Sequence, residues 1–138
     1  MKILFVCPNY PGVQLALSND SENRVTGQAE VPESMSMIAK ISEIAQYLEV
    51  EKIVVGRKFL RGMATQNTDT ADRIAALLPE YLVKCKISVE SWDLKNVDII
   101  DVEDHSFTMG AYGVAAQSSQ EAVYYLRCYL TLMHSGQI

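Results

Sequence analysis

Residues 13–31 alternate with a period of two before the chain shows any helical period. Val13, Leu15 and Leu17 alternate with Gln14 and Ala16, and Val25, Gly27, Ala29 and Val31 form a second alternating set. Both sets read as strands with one buried face. The polar segment from Ser18 to Asn23 between them has the length of a hairpin loop. Ahead of them, Lys2-Ile3-Leu4-Phe5-Val6-Cys7 is apolar without interruption after its lysine, the pattern of a central strand covered on both faces. Pro8 to Gly12 closes that strand with turn residues. Three strands therefore precede the first helix. A doubly wound parallel sheet puts a helix directly after its first strand, and the alternation over 13–31 argues against it.

The period then changes. Ile38, Ile41, Ala45 and Leu48 recur at three- and four-residue steps and mark an amphipathic helix, with Pro32 and Glu33 in its first turn or Ser34 as its cap. Ile53-Val54-Val55 reads as a short buried strand stopped by Gly56, followed by a polar stretch from Arg57 to Thr70. Ile74, Leu78 and Leu82, with Ala71 and Ala75 beside them, mark a second helix that Asn67, Thr68 or Asp69 caps. Lys86 to Trp92 reads as a fifth strand. The section from Leu94 to Gln117 is the least periodic, with Val97 to Val102 as a further short extended piece. Ala122, Leu126, Tyr129 and Met133 form a last helix. This order predicts one α/β domain over residues 1–138, a mixed five-stranded sheet with its first three strands antiparallel and helices on both faces.

Composition narrows the function classes. The 138 residues are 49% hydrophobic and 21% charged, which suits a globular chain with a substantial core. A net charge of -5 excludes a broadly basic, nucleic-acid-coating surface but leaves room for a local basic patch. Cys7, Cys85 and Cys128 are an odd number, far apart, with no CxxC pair, and suit a reducing cytoplasm rather than a disulfide framework. Met1-Lys2 leads into the apolar run with no small-residue cleavage site, so no signal peptide is expected. No apolar stretch approaches the roughly 18 residues of a membrane span, so no membrane partner is expected.

The strand and helix order is that of the ribonuclease H-like fold, and within it the chain resembles the YqgF/RuvC-like Holliday-junction resolvase families. "MKILFVCPNYPGVQLALSND" looks like their opening strand, turn and second strand, which normally read as an ILGIDPG segment followed by "GVALSD". "VEKIVVG" looks like the strand after the first helix, "ISVESWD" like the next strand with its acidic end, and "SSQEAVYYLRCYL" like the closing helix. The resemblance implies a nucleic-acid partner, branched or structured, and phosphodiester hydrolysis by two divalent cations, Mg²⁺ or Mn²⁺, about 4 Å apart in a carboxylate cluster.

The sequence departs from that pattern at the residues that carry the chemistry. The first carboxylate of the family belongs at the end of the first strand, where this chain has Cys7 followed by Pro8. A neutral thiol supplies neither the charge nor the hard oxygen that Mg²⁺ prefers. The glutamate at the end of the fourth strand corresponds to Gly56. Asp93 stands at the end of the fifth strand, and the closing helix offers Ser118 in one alignment and Glu121 a turn later in another. Asp93 and Glu121 are thus the catalytic and metal-ligand candidates, and Cys7, Gly56 and Ser118 the degenerate positions. Glu90, Asp98, Asp101, Glu103 and Asp104 are the carboxylates from which a rebuilt site would draw. The other reading is a catalytically inactive copy of the fold, serving as a binding or oligomerisation module.

Other residues invite narrower readings. Arg57, Lys58 and Arg61, with Phe59 among them, are the compact basic spot: phosphate contacts with a stacking ring, or a solvated loop. The loop from Arg57 to Thr70 is also the candidate for a small-molecule site. "ILFVCPN" resembles the start of low-molecular-weight tyrosine phosphatases, but the arginine of their Cys-x5-Arg loop would fall at Val13. It also looks like the opening of some glycosyltransferases, whose two nucleotide-fold domains need a longer chain. A buried structural thiol is the plainer reading of Cys7. His105 and His134 lack ligand spacing; Asp101, Glu103, Asp104 and His105 read as an oxygen-rich metal site or an exposed acidic loop. Gly110 and Gly113 read as a flexible turn. Tyr124, Tyr125 and Tyr129 on the last helix suggest a homodimer surface, or tyrosines at the edge of a core helix.

Overall fold

The computed structural model describes residues 1–9, 12–19, 25–58, 68–93, 114–134 and 136; the side chains of Asn9, Lys58, 114–121 and Tyr124 are outside that description. The described elements follow the order β1 (Ile3–Asn9), β2 (Gly12–Ser18), β3 (Val25–Pro32), α1 (Met37–Tyr47), β4 (Lys52–Lys58), α2 (Thr68–Tyr81), β5 (Ser88–Asp93) and α3 (Val114–His134). The five strands form one sheet in the order β3-β2-β1-β4-β5. β1 and β2 pair antiparallel, as do β2 and β3; β4 joins β1 in parallel and β5 joins β4 in parallel. The parallel joins need crossovers, and these carry α1 and α2. The mixed sheet with three antiparallel leading strands is as expected.

The helices divide the core in two. Ile3, Phe5, Cys7, Ala16, Val54 and Trp92 point to one face and meet Leu126, Tyr129 and Leu130 of α3. Leu4, Val6, Leu15, Ile53 and Val55 point to the other and meet Ile41, Ala45, Ile74 and Leu78 of α1 and α2. Strand alternation produces this division, since successive side chains leave opposite faces. On the α3 face, Trp92 stands edge-on to both Phe5 and Tyr129, with ring centres 6.0 and 5.3 Å apart. That geometry suits the ring quadrupoles.

Several boundaries differ from the sequence reading, each for a physical reason. β2 is buried on both faces rather than one: Gln14, Ala16 and Ser18 lie under α3. β3 is an edge strand on which only Val31 is fully buried. A register shift at Leu17/Ser18 pairs Gly27 with Leu17 and Val25 with Ser18, leaving Thr26 as the extra residue; its hydroxyl donates to the Leu17 carbonyl at 3.3 Å. Such a bulge reverses the face, so Val25 joins the α3 core while Val31 joins the other.

α1 starts at Met37, later than Pro32 to Ser34 would place it, because Pro32 still pairs with Gly12 in the sheet. α1 ends in a paired-carbonyl cap: Glu49 N–H donates to Gln46 O at 3.1 Å and Val50 N–H to Ala45 O at 3.1 Å. This puts Glu49 at φ 56°, a left-handed conformation that favours glycine. Lys2 Nζ covers the exposed end of the helix by donating to Leu48 O at 3.1 Å.

β4 does not stop at Gly56 but runs on to Lys58, which pairs with Asp93 across a second register shift. Arg57 and Lys58 are therefore strand residues, not loop residues. α3 begins at Val114, well before its apolar period becomes regular. The short extended piece expected over 97–102 lies outside the described residues.

Candidate functional site

β1, β4 and β5 run in parallel, so their C-terminal ends open on one edge of the sheet, the usual location of a site in sheets of this kind. That edge carries Cys7 and Pro8 from β1, Gly56, Arg57 and Lys58 from β4, and Trp92 and Asp93 from β5. The alternation of the strands sorts them. Cys7 follows Ile3 and Phe5 onto the α3 face, and Gly56 follows Val54 there. Arg57 follows Ile53 and Val55 to the opposite face, toward α2.

Cys7 is 1% exposed and stands across from Gln14, which is equally buried. A thiol and an amide, both neutral, thus occupy the place where the resemblance would put the first carboxylate. Gly56 offers no side chain where the resemblance would put a glutamate. Cys7 is part of the α3 core, as the plainer reading of it expects.

Asp93 is engaged by Arg57. The guanidinium Nη1 lies 3.5 Å from Asp93 Oδ2, while its Nε donates to Asp72 Oδ1 at 2.6 Å and its Nη2 to Asp72 Oδ2 at 3.4 Å. The hydrogen bonds to Asp72, then the charges of both aspartates, raise the pKa of Arg57 above its already high value. Thr68, at the start of α2, donates its hydroxyl to the Arg57 carbonyl at 3.3 Å and ties the end of β4 to that helix. The sequence reading missed Asp72. Its one sequence signal is position, beside Ala71 and two residues before Ile74 on a helix whose apolar face must lie on the sheet.

Glu90, one of the acids considered for a rebuilt site, is committed elsewhere. It accepts from the Tyr129 hydroxyl at 2.8 Å and pairs with Lys52 at 3.1 Å on the α3 face. Tyr125 and Tyr129 are 6% and 2% exposed, so neither supplies the homodimer surface suggested for the last helix. Ser118 and Glu121 fall on α3, but their side chains are outside the described residues, as are Arg61, Asp98, Asp101, Glu103, Asp104, His105, and Tyr124's side chain.

The described residues do not fit a two-metal centre. A buried thiol and a bare glycine stand where the resemblance would put two oxygen donors, and an arginine cation sits against Asp93. Among the described residues no group of three or more His, Cys, Asp or Glu is arranged to hold a metal ion. Among them, too, no helix is long and apolar enough to cross a membrane.

No protein-family model matches the chain, and no curated protein matches it by sequence. Solved structures do resemble it. RuvC of Thermus thermophilus is similar over 99% of this chain and 98% of its own, at 10% identity and a TM-score of 0.59. T. thermophilus RuvC in complex with Holliday junction substrate is similar over 99% and 96%, at 12% identity and a TM-score of 0.64. The nuclease domain of the large terminase subunit of bacterial virus Sf6, with manganese, covers 91% of this chain and 54% of its own at 12% identity, with a TM-score of 0.50. At such identities the likeness is one of fold: the chain has a ribonuclease H-like fold similar to that of RuvC.

Proposed function

We propose that the chain is a nucleic-acid-associated protein that engages branched or structured nucleic acid without hydrolysing it through the two-metal chemistry of its fold. One observation carries this reading: at the C-terminal edge of the sheet, Arg57 lies between Asp72 and Asp93 while Cys7 is buried and neutral. An arginine in that position supplies a fixed cation where hydrolysis would require a bound one. It also supplies the fork of donors that recognises phosphate. Lys58 follows it on β4 and Arg61 follows in sequence, so the compact basic spot begins at the sheet edge. The similar RuvC bound to a Holliday junction supports the choice of a branched ligand.

The competing reading is a metal-dependent endonuclease that uses Asp93 and Glu121 with Mg²⁺ or Mn²⁺. Fluorescence anisotropy of a labelled four-way DNA junction and of a matched duplex, both in EDTA, separates the two. Metal-free binding that prefers the junction and weakens in Arg57→Gln is the expected result. Binding that appears only when Mn²⁺ is added, or none at low salt, overturns the proposal.

A further inference from the structure

Arg57 is gripped unequally by its two carboxylates. Asp72 takes the Nε edge side-on through two contacts, at 2.6 and 3.4 Å, whereas Asp93 reaches Nη1 at 3.5 Å. The side-on arrangement is the one in which a guanidinium accepts either a carboxylate or a phosphate. An aspartate and a backbone phosphate therefore compete for the same donors. The side chains of Arg57, Asp72 and Asp93 are 37%, 48% and 37% exposed, so solvent and a polyanion reach all three. Exposed pairs of this kind shift an equilibrium only a few-fold, and phosphate can exchange with them.

Resting on the nucleic-acid reading above, we infer that Asp72 and Asp93 act as an anionic brake on phosphate binding by Arg57. They hold the guanidinium in place at the sheet edge, and a phosphate displaces them, the longer Asp93 contact first. Arg57 is then the phosphate-contacting residue, and the two aspartates set its affinity. This arrangement also explains how an acidic chain keeps a basic spot from binding polyanions indiscriminately. Arg57 is neutralised locally until a ligand presents enough phosphates to outcompete both acids.

The test is a substitution cycle read by anisotropy of a labelled four-way DNA junction in EDTA, from low to physiological salt. Asp72→Asn tightens binding about two- to fivefold and steepens the salt dependence by up to about one phosphate contact. In an Arg57→Gln background the same substitution does no more than the loss of one charge elsewhere on α2. Asp93→Asn tightens binding in the same sense and gives a second route to the answer should Asp72→Asn disturb α2. Asp69→Asn removes an equal charge from the first turn of α2 and measures the general effect of charge alone. The brake is overturned if Asp72→Asn does no more than Asp69→Asn, or acts equally without Arg57. If the wild type binds but ignores both aspartates, the brake alone is lost. If the wild type and every variant fail to bind at low salt, the nucleic-acid reading falls with it.

Discussion

Cys7 and Gln14 face each other across the β1–β2 pair, each 1% exposed beneath α3. A carboxylate at position 7 would enter this covered place, opposite an amide. Burying an uncompensated charge there is costly. Cys7→Asp should therefore lower the unfolding free energy by about 3 kcal/mol at neutral pH. The burial raises the new carboxyl's pKa in the folded chain, so the loss should shrink as pH falls and the group takes up a proton. Urea melts at neutral and acid pH check this. A variant as stable as the wild type that gains Mn²⁺-dependent cleavage would show that the position still belongs to a metal site.

Glu49 holds φ 56° to complete the cap of α1. The left-handed conformation costs a residue with a Cβ about 1–2 kcal/mol, against a smaller entropic cost for glycine in the unfolded chain. Glu49→Gly should thus stabilise by about 0.5–1 kcal/mol and raise Tm by roughly 2–4 °C. A β-branched residue such as valine should do the reverse. An unchanged or lower Tm for the glycine variant would mean that the cap does not constrain the helix end.

Lys52, Glu90 and Tyr129 join β4, β5 and α3. Lys52 Nζ lies 3.1 Å from Glu90 and 5.5 Å from the centre of the Tyr129 ring. Burial opposes the charge on Lys52, but its contacts with Tyr129 and Glu90 outweigh burial and raise its pKa. Burial pushes the Tyr129 phenol up; Lys52 pulls it back, and Glu90 adds to the rise. A group whose pKa is raised on folding contributes stability while it is protonated in the unfolded chain, and loses that contribution as pH climbs through the folded value. The stability difference between wild type and Lys52→Met should hence be constant from neutral pH to about pH 10 and shrink above it. Denaturant melts across the alkaline range test this; a difference that shrinks below pH 9 contradicts it.

How much of this was legible depended on distance along the chain. The alternation over 13–31 and the later change of period are local, and they announced the antiparallel start of the sheet and its mixed order. The burial of Gln14 and Ser18 was not legible, because α3 covers them from the far end of the sequence. Nor was the extension of β4 past Gly56: the partner that continues it is Asp93, paired with Lys58 across a register shift. At the edge itself, the thiol at position 7 and the glycine at position 56 could be read directly from the residues. The Arg57–Asp72 contact could not, since it joins a strand end to a helix flank and leaves no periodic trace.

The central claim is that this ribonuclease H-like edge binds nucleic acid and does not cut it. Incubating the chain with a labelled four-way DNA junction in Mn²⁺, with products resolved on denaturing gels and complexes on native gels, tests it most directly. The account predicts a retarded complex and an intact junction, with Asp93→Asn tightening the complex. Paired nicks across the junction that vanish in Asp93→Asn and in Glu121→Gln would contradict it.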